Sequence, residues 1–190
     1  MADQGSEGLF SPFLKNQRIR AARPHLSGRV LDVGCGSGSL AELVEPDRYL
    51  GVEIDSASMT IARQLFPAHR FVGELPPPGE NFDTVVALAV IEHVPHPGQF
   101  LCELAGRLAD TAAARIVCTT PHPSLEWVHT IGARIGLFSR AANEEHETLL
   151  DRRALERVGR EAGLTLATYQ RFLGGANQLA VYARDRELQD

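Results

Sequence analysis

The run Val30-Leu31-Asp32-Val33-Gly34-Cys35-Gly36-Ser37-Gly38-Ser39 constrains this chain more than any other segment. A short apolar stretch meets an acidic residue, and glycines then alternate at 34, 36 and 38. Such a run reads as a buried strand ending in a turn where bare backbone approaches a ligand. Glycine suits that place because it has no Cβ to hold a ligand off and accepts positive φ. Leu40-Ala41-Glu42-Leu43-Val44 follows with helix-forming composition, so the pattern predicts a strand, a glycine loop and a first core helix over about 38–45.

The spacing narrows the ligand. A dinucleotide fingerprint wants G-x-G-x-x-G, whereas position 39 here is Ser39. Asp32, two residues before the first glycine, would repel a pyrophosphate but suits an ammonium group. Glu53 ends the apolar run Tyr49-Leu50-Gly51-Val52, where a carboxylate accepts hydrogen bonds from ribose hydroxyls. An ammonium group and a ribose without a pyrophosphate describe S-adenosylmethionine (SAM).

With these residues in place, the chain resembles the class I, Rossmann-like SAM-dependent methyltransferases. Leu31–Gly38 matches the family's first motif and Gly51-Val52-Glu53-Ile54-Asp55 its second. Phe82–Leu88 followed by Ile91-Glu92-His93-Val94 matches its fourth-strand region, and the resemblance spans roughly residues 28–183. It implies a three-layer α/β fold whose seven-stranded, mostly parallel sheet closes in an antiparallel C-terminal hairpin. It also implies SAM as methyl donor, with S-adenosylhomocysteine (SAH) as product. The cofactor-binding positions carried over are Asp32, Gly34, Cys35, Gly36, Gly38, Glu53, Ile54, Glu74, Leu75 and Leu88. Gly73-Glu74-Leu75 falls where the family packs on adenine, and Glu74 can accept from its exocyclic amine.

Bulk properties agree with such a domain. At 190 residues, 44% hydrophobic and 23% charged, the chain suits one globular domain. A net charge of −5 argues against general affinity for nucleic acid or anionic membranes. Three cysteines, Cys35, Cys102 and Cys118, form no secreted-type framework and no zinc spacing. No apolar stretch has the length of a membrane span and the N-terminus lacks a signal-peptide core, so a cytoplasmic protein is expected.

Along the chain, residues 1–27 read as a helical extension, with Ser11-Pro12 starting a helix that stops before Pro24. Its Lys15, Arg18, Arg20 and Arg23 read as a solvated face. A SAM-binding domain is expected over 28–185, with Ser56 capping a second helix and Pro97 opening a third. Asp151 caps the last helix, which Gly163 terminates. Two strand-like runs then flank Gly174-Gly175-Ala176-Asn177, as an antiparallel pair would.

The segment at about 120–147 reads as a lid or substrate insertion, carrying Trp127, His122, His129 and His146. Methyl transfer is an in-line displacement, so the protein's main tasks are alignment and, for a protic acceptor, a general base. His122, just past the fifth strand, is the first candidate and His146 the second. Glu92-His93 resembles a metal-ligating stretch of ubiquinone-pathway and small-RNA methyltransferases. The further glutamate expected three residues earlier is Ala89 here, so no metal is expected and Glu92 and His93 are assigned to helix capping and local hydrogen bonds. A small-molecule acceptor methylated at oxygen or nitrogen is the leading expectation. The alternatives are an RNA or protein methyltransferase and a SAM-binding protein without catalysis. A nicotinamide-dependent reductase would want Tyr-x-x-x-Lys, but Leu173 follows Tyr169 and Arg186 follows Tyr182 at that spacing.

Overall fold

The computed structural model describes residues 10–123 and 150–185. Strands β1 (Val30–Val33), β2 (Tyr49–Val52), β3 (Arg70–Val72), β4 (Thr84–Leu88), β5 (Arg115–Pro121), β6 (Leu164–Phe172) and β7 (Asn177–Arg184) form one sheet. Its order is β3-β2-β1-β4-β5-β7-β6, and β7 alone runs antiparallel to its neighbours β5 and β6. This is the expected three-layer α/β arrangement with a reversed C-terminal strand.

Strand alternation sorts the core into two layers. Leu31, Val33, Val85, Ala87, Ile116 and Tyr182 face one side of the sheet. There they meet Leu101 and Leu104 of helix α3 (Pro97–Ala105) and Leu155 and Val158 of helix α4 (Arg152–Glu161). Val30, Tyr49, Val86, Val117 and Val181 face the other side. They meet Ala22 of helix α1 (Phe10–Ala22) and Ala62 of helix α2 (Ser56–Leu65). The two-residue period of a strand thus sends successive side chains of β1 into different layers. Asp32 consequently points to the α1/α2 side.

Two local expectations are corrected. Residues 38–45 do not form a helix but a series of turns with one 3-10 turn at Ala41–Leu43. Gly38, Ala41 and Leu43 each donate three residues back, to Cys35, Gly38 and Leu40. Pro46 disfavours helical backbone at Glu45, leaving too short a run after the glycine loop for an α-helix to be nucleated. Helix α2 is capped not by Ser56 but by Asp55, whose carboxylate accepts from Ser58 N–H at 2.8 Å. Asp151 does cap α4, accepting from Ala154 N–H at 2.7 Å, and Gly163 ends it at φ +69°. Among the described helices none is long and apolar enough to cross a membrane.

Candidate cofactor site

Neighbouring strands β1 and β4 mark the point where the strand order reverses, and open α/β sheets bind ligands beyond the carboxyl ends of the strands there. The turn after β1 has left-handed backbone at Gly34, Gly36 and Gly38. A Cβ on Gly34 would lie 2.6 Å from Val90 Cγ2, so packing against the turn after β4 also demands glycine. Gly36 differs. At φ +54° a Cβ there would meet no atom within 4 Å, so its missing side chain leaves open space above the loop.

Asp32 is only 3% exposed and accepts a hydrogen bond from Tyr49 Oη at 2.7 Å. Burial raises its pKa to about 7; the Tyr49 hydrogen bond opposes the rise and the Glu53 charge adds to it. Gly51 faces Asp32 across the β1–β2 pair, and the absence of its side chain lets Phe71 and the Cys35 thiol close in. Glu53 is held by two backbone amides, from Gly36 and Asp55, each at 2.8 Å. An ionised carboxylate offers about four acceptor positions, so both oxygens keep capacity for further donors.

A cavity of about 480 Å³ opens over this turn, lined by Asp32, Gly34, Cys35, Gly36 and Leu88 among the positions expected from the sequence. Gly38 lies beneath the loop instead, against Phe71 and Ala62. Glu53 does not line the cavity itself but accepts from Gly36 N–H, which does. Ile54, Glu74 and Leu75 do not line the cavity: Ile54 is 88% exposed just past β2, Glu74 is exposed, and Leu75 packs against the core. The sequence reading overlooked Lys15 and Ile19 of α1, Ser58 and Ile61 of α2, and Tyr49 beneath Asp32. Nothing local in α1, whose basic residues read as a solvated face, marks it as a cover of the loop.

The general methyltransferase domain family model matches residues 11–169. The chain belongs to this methyltransferase domain family. It is 33% identical over 110 residues to a ubiquinone biosynthesis O-methyltransferase of Azorhizobium caulinodans, covering 53% of this chain and 43% of the relative. To the Rhodopseudomonas palustris protein of the same name it is 36% identical over 95 residues, covering 44% and 36%. The chain therefore spans less than half the length of these curated relatives. Its fold is similar to that of the magnesium protoporphyrin IX methyltransferase of Synechocystis PCC 6803, solved with bound SAH. The TM-score is 0.68 at 18% identity over 91% of this chain and 84% of the other. A SAM-dependent methyltransferase of Mesorhizobium loti gives 0.67 at 14% identity, over 90% and 98%.

The residues expected from the sequence to serve the acceptor lie beyond β4 and β5. His122 follows β5 directly, its backbone N–H donating to Ala176 O at 2.9 Å. Burial first, and the Arg171 charge second, lower its pKa, while Asp151 opposes them. It does not line the cavity, and His146, Trp127 and His129 lie outside the described residues. Glu92 corrects the helix-capping part of a sequence expectation. It caps no described helix; it is 1% exposed, and its Oε2 has no hydrogen-bond partner among the described residues. Burial raises its pKa, opposed by its own amide, His93, the Thr120 hydroxyl and Arg18. The basic face of α1 is likewise not simply solvated: Arg18 Nε donates to Asn177 Oδ1 at 3.2 Å and Lys15 Nζ reaches Ser37 Oγ at 3.4 Å.

Proposed function

We propose that the chain transfers the methyl group of SAM to a small-molecule acceptor, at oxygen or nitrogen. The observation that carries this reading is the buried Asp32 carboxylate opening onto the cavity beside the vacant Cβ position of Gly36. A buried carboxylate without a cationic partner is costly, and an arriving ammonium group removes that cost. Gly34, Cys35 and Gly36 then face the amino-acid arm, Gly38 shapes the turn beneath it, and Glu53 takes the ribose hydroxyls. Ile54, exposed at 88%, offers an apolar face to a flat base, with Glu74 for its exocyclic amine and Leu75 and Leu88 as apolar neighbours. The cavity volume lies within the range of cofactor pockets.

SAM supplies a methyl group already activated by its sulfonium, so the chain's residues chiefly bind, align and exclude water. Proton removal from a protic acceptor falls to His122, with His146 as second candidate. The lowered pKa keeps the His122 imidazole neutral near pH 7, the form that accepts a proton. A small acceptor is supported by the relatives named for ubiquinone biosynthesis and by the acidic net charge of −5. In this reading residues 1–27 are a helical extension to a domain over 28–185, with an acceptor-side insertion at about 120–147.

Calorimetry with SAH and with NAD tests the cofactor. Micromolar binding of SAH alone is expected, and binding of NAD alone would overturn the reading. Labelled methyl transfer onto a metabolite extract then identifies the acceptor. With that acceptor, His122→Ala is expected to lower turnover while SAH affinity holds; unchanged turnover removes His122 from the base role.

A further inference from the structure

Gln178 of β7 is fully buried, and its amide joins three separate segments. The Nε2 amino group donates to Pro121 O at 3.0 Å and also to Leu150 O. Its Oε1 accepts from Tyr169 Oη at 2.9 Å. Backbone carbonyls can only accept, so these partners leave the amide a single orientation. An ionised glutamate and a methionine, of similar length, both lack the two donors.

The two carbonyls bracket residues 122–149. Pro121 ends β5, in register with Asn177, and Leu150 directly precedes Asp151, the cap of α4. Leu150 is itself buried in the core. One amide thus ties the carboxyl end of β5 to the start of α4. A second tie holds the same corner: Arg152, the first residue of α4, places its guanidinium 5.4 Å from the centre of the Tyr169 ring. His122 follows Pro121 and donates its backbone N–H to Ala176 O at 2.9 Å, so it is held on both sides of this corner. A fully satisfied buried network specifies one arrangement of the segments it joins. Neither Gln178 nor Tyr169 lines the cavity at the glycine loop.

We propose that Gln178 is a positioning residue for proton removal: its amide, oriented by the Tyr169 hydroxyl, pins the end of β5 to the start of α4 and so fixes His122. This role rests on the reading of His122 as the base. It separates proton removal at one end of the sheet from cofactor binding at the other.

The test compares the wild type with Gln178→Met, Tyr169→Phe, His122→Ala and the Gln178→Met/His122→Ala double variant. Burial is the first cause of the lowered His122 pKa. Loosening the corner should therefore move the imidazole midpoint up toward the ordinary histidine value, most in Gln178→Met and less in Tyr169→Phe. Nuclear magnetic resonance of the SAH-bound protein follows that titration. SAH affinity by calorimetry should stay within about twofold of wild type, since the network touches no part of the cavity. The initial rate of labelled methyl transfer from SAM onto a metabolite extract should fall roughly ten- to a hundredfold in Gln178→Met. In Tyr169→Phe it should fall about threefold. The double variant should be no slower than His122→Ala, because the two residues act as one unit. A His122 midpoint unmoved in both variants, or losses that multiply in the double variant, overturns the positioning role. Tyr169→Phe, at a half-buried position, decides the titration if Gln178→Met does not fold. A wild type that transfers no label, or an unslowed His122→Ala, overturns the base reading instead, and the titration alone then decides whether Gln178 fixes His122.

Discussion

Two buried carboxylic acids, Asp32 of β1 and Glu92 past β4, mark two ends of this side of the molecule and are placed very differently. Asp32, at the end of β1, lines the cavity, is touched by Tyr49 and has another carboxylate, Glu53, as its charged neighbour. Glu92, past β4, lies off the cavity with Arg18 and His93 as the charged groups opposing its raised pKa. Burial raises the pKa of both, but the charge acting on Asp32 is the Glu53 carboxylate, which adds to the rise, while Glu92 has Arg18 and His93 opposing it. The first arrangement is poised for a cationic ligand. The second is compensated from within the chain.

Removing the Asp32 charge gives the largest expected separation between the two ends. Asp32→Asn should weaken SAH binding by about a hundredfold or more, as expected for loss of a desolvated charge pair. Glu92→Gln should change it by less than about threefold, since the group touches no part of the cavity. The same Asp32 substitution should stabilise the free protein. With the folded pKa raised to about 7, the native state holds its proton more tightly than the unfolded chain does. That contribution to stability is complete below the ordinary carboxylate range and is lost as pH rises toward 7. At pH 8 the asparagine variant should therefore unfold with a gain on the order of 4 kcal/mol over wild type in urea titrations. A loss of stability with undiminished SAH binding would remove the contrast altogether.

Glu53→Ala should cost about 1–3 kcal/mol of SAH affinity, through lost charge-assisted hydrogen bonds. Because Glu53 also holds Gly36 N–H and Asp55 N–H, the loop should loosen, with faster amide exchange at both positions. Unchanged affinity would take Glu53 out of the ribose role and leave it a brace for the loop.

The contrast also explains what could be read ahead of the structure. The cofactor end is built from contiguous backbone, and its conformations leave marks in residue type: Gly34 must be glycine both for φ +69° and for Val90. The parallel sheet with its antiparallel C-terminal pair is legible in the alternating βα pattern and the glycine-bearing turn before β7, whereas the strand order is not. Where composition competed with length, the reading failed, as at Leu40–Val44, whose helix formers are cut short by Pro46. Tyr49 looks like any core aromatic until its hydroxyl is found on Asp32. Lys15 and Arg18 are exposed-looking cations on a helix, and nothing local tells one facing a cavity from one facing water. The contact between Arg18 and Asn177 joins positions 159 residues apart, beyond any spacing rule.

Titration offers a finer separation. Ligand binding that needs Asp32 ionised should weaken about tenfold for each pH unit below 7 and level off above about 8. Tyr49→Phe deletes the hydrogen bond that opposes the raised pKa, so the midpoint should move upward. SAH calorimetry between pH 5.5 and 8.5, conditions chosen to bracket that midpoint, measures both. A flat profile in the wild type would mean that the ammonium sits elsewhere.

The smallest effect tests whether the two ends are independent at all. Arg18 and Lys15 lie about one turn apart on α1, the first reaching Asn177 at the start of β7, opposite the end of β5, and the second the glycine loop. Asn177 is buried, so Asn177→Ala removes one partly buried hydrogen bond and should cost about 1 kcal/mol of stability. If that bond helps seat the helix over the cavity, SAH affinity should also fall, by roughly two- to threefold, although Asn177 touches no part of the cavity. Linkage then requires the reciprocal: SAH would tighten the Arg18–Asn177 contact by the same factor. Full SAH affinity in this variant, with the stability loss present, would show that α1 serves each end separately.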